Sequence, residues 1–270
     1  MDAKKRRVVV AGARGVFGTH LVAELRGGAW DVVATTRDTL DLRDVAAVAR
    51  AAKGAYAFAC TAGPFQSLDR AIVRAVVDAG AHWLDIADDA GWFFDLLDDR
   101  SLDTLARERG VVVMPGLSSL PAISGALARL HPAPQTTITL YIGNDNAKGA
   151  GAIASGAALH TPDRELLRRE LGIDATARTQ FELPGAAVAM HVLRVLPLKA
   201  RVRVAKLLSR LVPRFGASGG YVEVNGVRIE GGQHMAILPL VYALERLEGR
   251  AGCLPPTVLD AAELLDFVRR

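Results

Sequence analysis

Strands and helices alternate through the first half of this chain at lengths that leave room for one parallel sheet and little else. "RVVVAG" reads as a strand, "VFGTHLVAELRG" as a helix and "WDVVATT" as the next strand; "RDVAAVARAAKG" is helical and "AYAFACTAG" extended. The order continues with "SLDRAIVRAVVDAG" helical, "AHWLDIAD" a strand, "GWFFDLLDDRSLDTLARERG" helical, "VVVMPG" a strand and "LPAISGALARL" helical. Parallel neighbours need helical crossovers, so repeated units of this size predict an α/β fold with a doubly wound parallel sheet. After "HPAPQ" the rhythm changes. "TTITLYIG" is a strand, "YVEVNGVRIEGG" a hairpin turning at Asn225-Gly226, and "QHMAILPLVYALERLEG" and "PPTVLDAAELLDFVRR" are closing helices, the last started by Thr257 or the prolines before it. The expectation is a boundary near residue 132, with a second, smaller α+β domain over 133–270 whose final helix is free to pack back on the first.

Three glycines, Gly12, Gly15 and Gly18, stand where the first strand ends and the first helix begins. In a Rossmann-type nucleotide-binding unit the first such glycine permits a tight turn, the second lets backbone approach a pyrophosphate, and the third lets helix and strand pack closely. The helix N-terminus then offers free N–H groups and a partial positive charge to the anion. The spacing here is G-x-x-G-x-x-G instead of G-x-G-x-x-G, a weak motif alone but stronger between a strand and a helix. NAD-binding chains usually carry an acid at the end of the second strand, for the ribose hydroxyls. Thr36 occupies that place, Arg37 follows it, and Arg14 lies inside the glycine loop. Two guanidiniums can flank a 2′-phosphate, which favours NADP; a shift of strand end would bring Asp38 to the ribose and favour NAD.

These residues resemble the NADP-binding domain of the saccharopine dehydrogenase-like oxidoreductases. "GARGVFGTHLVAEL" is similar to the family's opening, "CTAGPFQSLDRAIVRAVVDAGAHWLDIADD" to its central block and "GVVVMPGLSSLPAISGALA" to its sixth-strand segment, together spanning roughly residues 7 to 130. The resemblance implies that Gly12, Arg14, Gly15, Val16, Phe17 and Gly18 cradle the pyrophosphate and that Thr36 and Arg37 meet the adenosine ribose. It further implies that Thr61, Ala62, Gly63, Pro64 and Phe65, after the family's fourth strand, run beside the nicotinamide half.

Asp88 and Asp89 fall at the end of what the resemblance makes the fifth strand, and Ser118 and Ser119 at the end of the sixth. Hydride transfer to a C=N, C=O or activated C=C needs a proton supplied or a developing charge stabilised, and adjacent carboxylates raise one another's pKa toward that task. Asp88 is the first candidate proton carrier, with Asp89 and Ser118 behind it. The competing expectation is structural: acids after a strand cap the next helix, Asp85 is a buried hydrogen-bonding residue, and the serines cap a helix or bind cofactor. None of the four tyrosines, 56, 141, 221 and 242, is followed by lysine four residues on, which argues against short-chain dehydrogenase chemistry. There is no G-x-x-x-x-G-K-[ST] loop.

Two cysteines, Cys60 and Cys253, without a secretory signal, predict a reducing, cytoplasmic setting, and six scattered histidines give no metal-ligand spacing. The net charge is +4, yet Leu183 to Val222 holds seven Lys or Arg and no acid, leaving 4 − 7 = −3 elsewhere. That stretch is a solvated face or subunit contact, or else a site for an anionic partner; peripheral contact of 194–214 with an anionic membrane is one form of it, and nucleic acid has no supporting motif. No apolar run is long enough for a membrane span. The chain is thus expected to be an NADP-dependent oxidoreductase of a small molecule, as a homodimer, or alternatively a catalytically silent NADP-binding sensor or scaffold.

Overall fold

The computed structural model describes residues 5–143, 161–182 and 219–270, with Pro197, Ala200 and Val204 between them. The basic stretch 194–214 lies almost wholly outside the described residues, and with it the expected anionic contact. Five strands come from the first half: β1 (Arg6–Ala11), β2 (Trp30–Thr35), β3 (Ala57–Cys60), β4 (His82–Asp85) and β5 (Val112–Met114). All pair in parallel, and a two-residue strand from the far end of the chain, Gly252–Cys253, joins them beside β5. The sheet order is β2-β1-β3-β4-β5 followed by that late strand. The chain steps out from β1 to β2, then crosses back to β3 on the other side, so winding reverses between β1 and β3. In open α/β sheets ligands sit outside the carboxyl ends of the strands at such a reversal. The strands that the resemblance numbers fourth, fifth and sixth are the third, fourth and fifth of this chain, because only two strands precede β3.

Central strands buried on both faces read as continuous apolar runs. Val8, Val9, Val10 and Ala11 of β1 and all of β3 are buried, and Phe58 stacks on Trp83 of β4 with ring centroids 5.5 Å apart. Helix α1 (Val16–Gly27) buries Gly18, Leu21, Val22 and Leu25, the three- and four-residue spacing of one helical face. Asp44 caps α2 (Val45–Ala52), accepting the Ala47 N–H at 2.9 Å, and α3 (Ala71–Asp78) follows β3. The long helix expected over 91–110 is two, α4 (Ala90–Leu97) and α5 (Arg100–Arg109). Asp99 restarts it, one carboxylate oxygen accepting the N–H groups of Ser101 and Leu102. "LPAISGALARL" opens irregularly, with Leu120 extended inside the turn Ser119–Ile123, before α6 (Ser124–Leu130).

The second sheet has order β7-β6-β8-β9, from β6 (Gln135–Ile142), β7 (Asp174–Phe181), β8 (Tyr221–Val224) and β9 (Val227–Glu230). β6 and β7 are parallel and α7 (Asp163–Leu171) precedes β7, neither of which the sequence pattern announced; the β8–β9 hairpin did announce itself. Asn225 and Gly226 have φ of 51° and 84°, the left-handed pair a two-residue hairpin turn demands. Asn225 also joins the turn to β6, its side-chain oxygen accepting the Thr137 N–H at 3.0 Å and its amide donating to the His131 carbonyl at 2.8 Å.

The first closing helix divides into Gly232–Met235 and Leu238–Leu244. The last begins later than expected, at Ala261. Asp260 caps it by accepting the Glu263 N–H at 2.9 Å, while Pro256 to Val258, Thr257 included, form a separate 3-10 turn. Helix 238–244 is buried throughout, and one continuous apolar cluster runs from the parallel sheet through this helix and 261–268 to the inner face of the second sheet.

Candidate functional site

The glycine loop is built for close approach. Gly12 has φ +83°, and a Cβ there would lie 2.9 Å from the backbone nitrogen of Ala62, in the loop after β3; a Cβ on Gly18 would collide with the Gly12 carbonyl. Both substitutions press on backbone, which cannot swing away. The loop is pinned to β2 by the Ala13 N–H donating to the Thr35 carbonyl at 2.9 Å. Gly15 is the N-cap of α1 and supplies no side-chain hydrogen bond. The first-turn N–H groups of a helix have no partner in its own ladder, so those of Val16, Phe17 and Gly18 are left for an external acceptor. A phosphate suits that position in charge and in hydrogen-bonding capacity.

At the end of β2 the Thr36 hydroxyl is shut off from solvent and has no hydrogen-bond partner among the described residues. Arg37 and Arg14 are exposed beside it. Arg14 Nη1 donates to Asp38 Oδ2 at 3.3 Å, with the two side chains 78% and 81% exposed. So open an ion pair is worth about 0–1 kcal/mol and gives way readily to a better anion. Taken together, the cradle, the uncapped helix and the orphaned hydroxyl fit a dinucleotide laid across the β1/β3 reversal.

Past β3, the Thr61 hydroxyl donates to the Ala11 carbonyl at 2.8 Å, which fixes the start of the Thr61–Phe65 loop; the Gly63–Pro64 peptide is cis. Asp85, wholly buried, is the structural knot that the sequence suggested. Its Oδ2 accepts from the indole N–H groups of Trp83 and Trp92, both at 2.8 Å, and its Oδ1 from the backbone N–H groups of Ala87 at 3.0 Å and Gly116 at 3.1 Å. Burial pushes this carboxyl up while the four donors pull it back.

Asp89 caps α4, accepting the Trp92 N–H at 2.8 Å through one oxygen and the Gln66 amide at 2.9 Å through the other. Asp88 is different. Burial pushes its carboxyl up to about 6, with Asp89 and Asp163 adding like-charge repulsion against only its own backbone N–H. Ser118 and Ser119 are buried, and Ser118 makes no side-chain cap to the turn that follows it, so helix capping does not account for it. Burial likewise drives the thiols of Cys60 and Cys253 up to about 12, far from a nucleophile's range.

Asp88, Asp89, Ser118 and Ser119 line one cleft of about 130 Å³, together with Phe17 of α1 and Thr61, Gly63, Pro64 and Phe65. The first turn of α1, through Phe17, and the candidate catalytic groups therefore border one cavity. Its far wall belongs to the second sheet: Tyr141 and Tyr221, a cross-strand pair, stack with centroids 4.8 Å apart. Neither tyrosine was a sequence candidate, nor was Gln66, Met235 or Asp163. Only the register of β6 on β8 brings the tyrosines together. Among the described residues no group of histidine, cysteine and carboxylate side chains is arranged to hold a metal, and no helix is long and apolar enough to cross a membrane.

No protein-family model matches the chain, and no curated protein does. Among solved structures it is similar to a dipicolinate-bound dihydrodipicolinate reductase from Paenisporosarcina sp. TG-14, at 10% identity over 94% of this chain and 100% of that one, with a TM-score of 0.45. It is also similar to a dTDP-4-dehydrorhamnose reductase from Bacillus anthracis in complex with NADP, at 12% identity over 77% of this chain and 100% of that one, with a TM-score of 0.33. A third is the NADPH-dependent quinone oxidoreductase QOR2 of Escherichia coli complexed with NADPH, at 17% identity over 76% and 88% of the two chains, with a TM-score of 0.32. Similarity at this distance carries no functional argument, which has to come from the site itself.

Proposed function

We propose that this chain is an NADP-dependent oxidoreductase of the saccharopine dehydrogenase-like kind, transferring a hydride between NADP(H) and a C=N, C=O or activated C=C of a small molecule. The observation that carries the reading is the single cleft in which Phe17, from the first turn of the uncapped helix, meets Asp88, the carboxyl whose environment pushes it up to about 6. A dinucleotide held at the β1/β3 reversal would supply or take the hydride through its nicotinamide. The chain's own residues do the rest. Gly12, Gly15 and Gly18 let backbone approach the pyrophosphate, with the Val16 and Phe17 N–H groups donating to it. Thr36 meets the ribose, while Arg37, with Arg14 released from Asp38, pairs with the 2′-phosphate. Thr61 to Phe65 flank the nicotinamide half, Ser118 and Ser119 orient the reacting group by hydrogen bonding, and Asp88 holds or returns the proton. Asp89 keeps α4 and Gln66 in place, a positioning role. The region 133–270 supplies the substrate wall and the surface for a homodimer.

One observation favours the silent-sensor reading: both oxygens of Asp89 already have partners, so among the described residues the site holds one unengaged carboxyl and no acid/base pair. Steady-state oxidation of NADPH over a panel of imines, ketones and enoyl compounds separates the two. The enzyme reading expects turnover that Asp88→Asn lowers by about 10²-fold or more, the scale of a lost general acid. Nucleotide binding with no turnover anywhere in the panel favours the sensor.

A further inference from the structure

The described lining of the cleft is charged in one sense only. Among the described residues that line it, the ionisable groups besides Tyr141 and Tyr221 are Asp88 and Asp89, and there is no lysine, arginine or histidine. Beyond the tyrosine pair an adjoining pocket holds His20, His234 and Arg228, whose guanidinium packs 3.7 Å from the Tyr221 centroid and is engaged by Glu223 at 2.9 Å and Glu230 at 3.7 Å. A third carboxyl, Asp163 of α7, stands behind Asp88, wholly buried and hydrogen-bonded by the Ser124 hydroxyl. A substrate carboxylate or phosphate seated beside Asp88 would lose its hydration facing carboxyls and meet no cation among the described lining residues.

The two lining acids are not equivalent. Asp89 is taken up by the Trp92 N–H and the Gln66 amide. The Asp88 carboxyl makes no hydrogen bond to any other described residue, and a carboxyl of this kind is the one that gains most from a positive partner. Around it the lining is apolar, with Phe65, Leu120, Leu140, Ile142 and Met235 offering contact to a hydrocarbon body. Ser118 and Ser119 add hydroxyl acceptors at the same end of the strands.

We propose that the cleft selects an apolar molecule carrying a protonated amine, the ammonium group seated against the Asp88 carboxylate and the hydrocarbon body against the aromatic and aliphatic wall. This inference rests on the oxidoreductase reading for the role of the cleft. Its charge preference is independent of which bond is reduced.

Three probes with the same ring and different heads test it: 2-phenylethylamine, 2-phenylethanol and phenylacetate. Each is titrated calorimetrically, near neutral pH, into the protein alone and into the protein saturated with NADP+, whose own binding is measured first. The expected order is amine tightest, by about tenfold or more over the alcohol, with phenylacetate weakest. In Asp88→Asn, checked for native melting, the amine falls to the level of the alcohol. Phenylacetate binding as well as the amine, an amine no better than the alcohol, or no binding of the amine at millimolar concentration each overturns the inference. NADP+ binding without amine preference removes this inference alone. Amine preference without NADP+ binding supports it and removes the nucleotide reading instead.

Discussion

Two buried aspartates near the site do opposite things, and the difference is in their partners. Asp85 accepts four N–H groups and no proton donor is wasted on it, so its removal strands two indoles and two backbone amides in a dry core. Leaving a buried donor unpaired costs about 1–3 kcal/mol each, so Asp85→Ala is expected to lower the urea-unfolding free energy by more than about 3 kcal/mol. A loss under about 1 kcal/mol would mean that the knot is not there. Asp163, wholly buried, has a carboxyl pushed up to about 6 mainly by desolvation. In the unfolded chain an aspartate titrates near ~3.9, so the folded state binds this proton more tightly. The stabilisation is complete below about pH 4 and is lost as pH rises through about 6. Urea midpoints across that window should show wild type losing about 1–3 kcal/mol relative to Asp163→Asn. Parallel profiles would contradict the assignment.

At the scale of elements, the glycine loop is where the sequence was most legible and where one atom matters most. Gly18→Ala sets a methyl group against the Gly12 carbonyl, so α1 must back away from β1. The expected result is a stability loss of about 1–3 kcal/mol together with loss of nucleotide-dependent stabilisation. Alanine tolerated without change in either would show that the helix is not seated as described. The βα rhythm, the glycine turn between β1 and α1 and the Asn225-Gly226 hairpin could all be read locally, because each depends on a period or a turn that neighbours in sequence impose. What escaped was non-local or short. The crossing of β3 to the far side of β1 leaves no mark in the strand itself. A two-residue strand such as Gly252–Cys253 has no period to detect, and β7, "DATARTQF", carries too many polar residues to stand out. The break between α4 and α5 did have a signal, since Asp99 followed by Ser101 is a capping pattern. The apolar residues on both sides masked it. In the site, Asp88 and Ser118 were legible as strand-end residues. The tyrosine wall and Asp163 were not, because only packing of the second sheet and α7 on the first layer brings them near.

For the whole molecule, the proposed oxidoreductase requires that the reversal of winding between β1 and β3, beside the uncapped helix α1, hold a phosphorylated dinucleotide, with the second sheet walling the cleft next to it. Two loops meet there, one from each side of the reversal, close enough that a Cβ on Gly12 would press on Ala62. The arrangement predicts recognition of the pyrophosphate by backbone and of the adenosine ribose by Thr36, Arg37 and Arg14. The measurement that tests it most directly is the melting temperature of the protein across a concentration series of NADPH and of NADH. At 100 times its Kd a ligand stabilises the folded chain by about 2.7 kcal/mol, well within reach of a thermal scan. The account predicts a rise with both nucleotides, larger with NADPH, and an Arg37→Ala variant in which the two become equal. No shift with either nucleotide at millimolar concentration would contradict it and leave the glycines as packing residues alone.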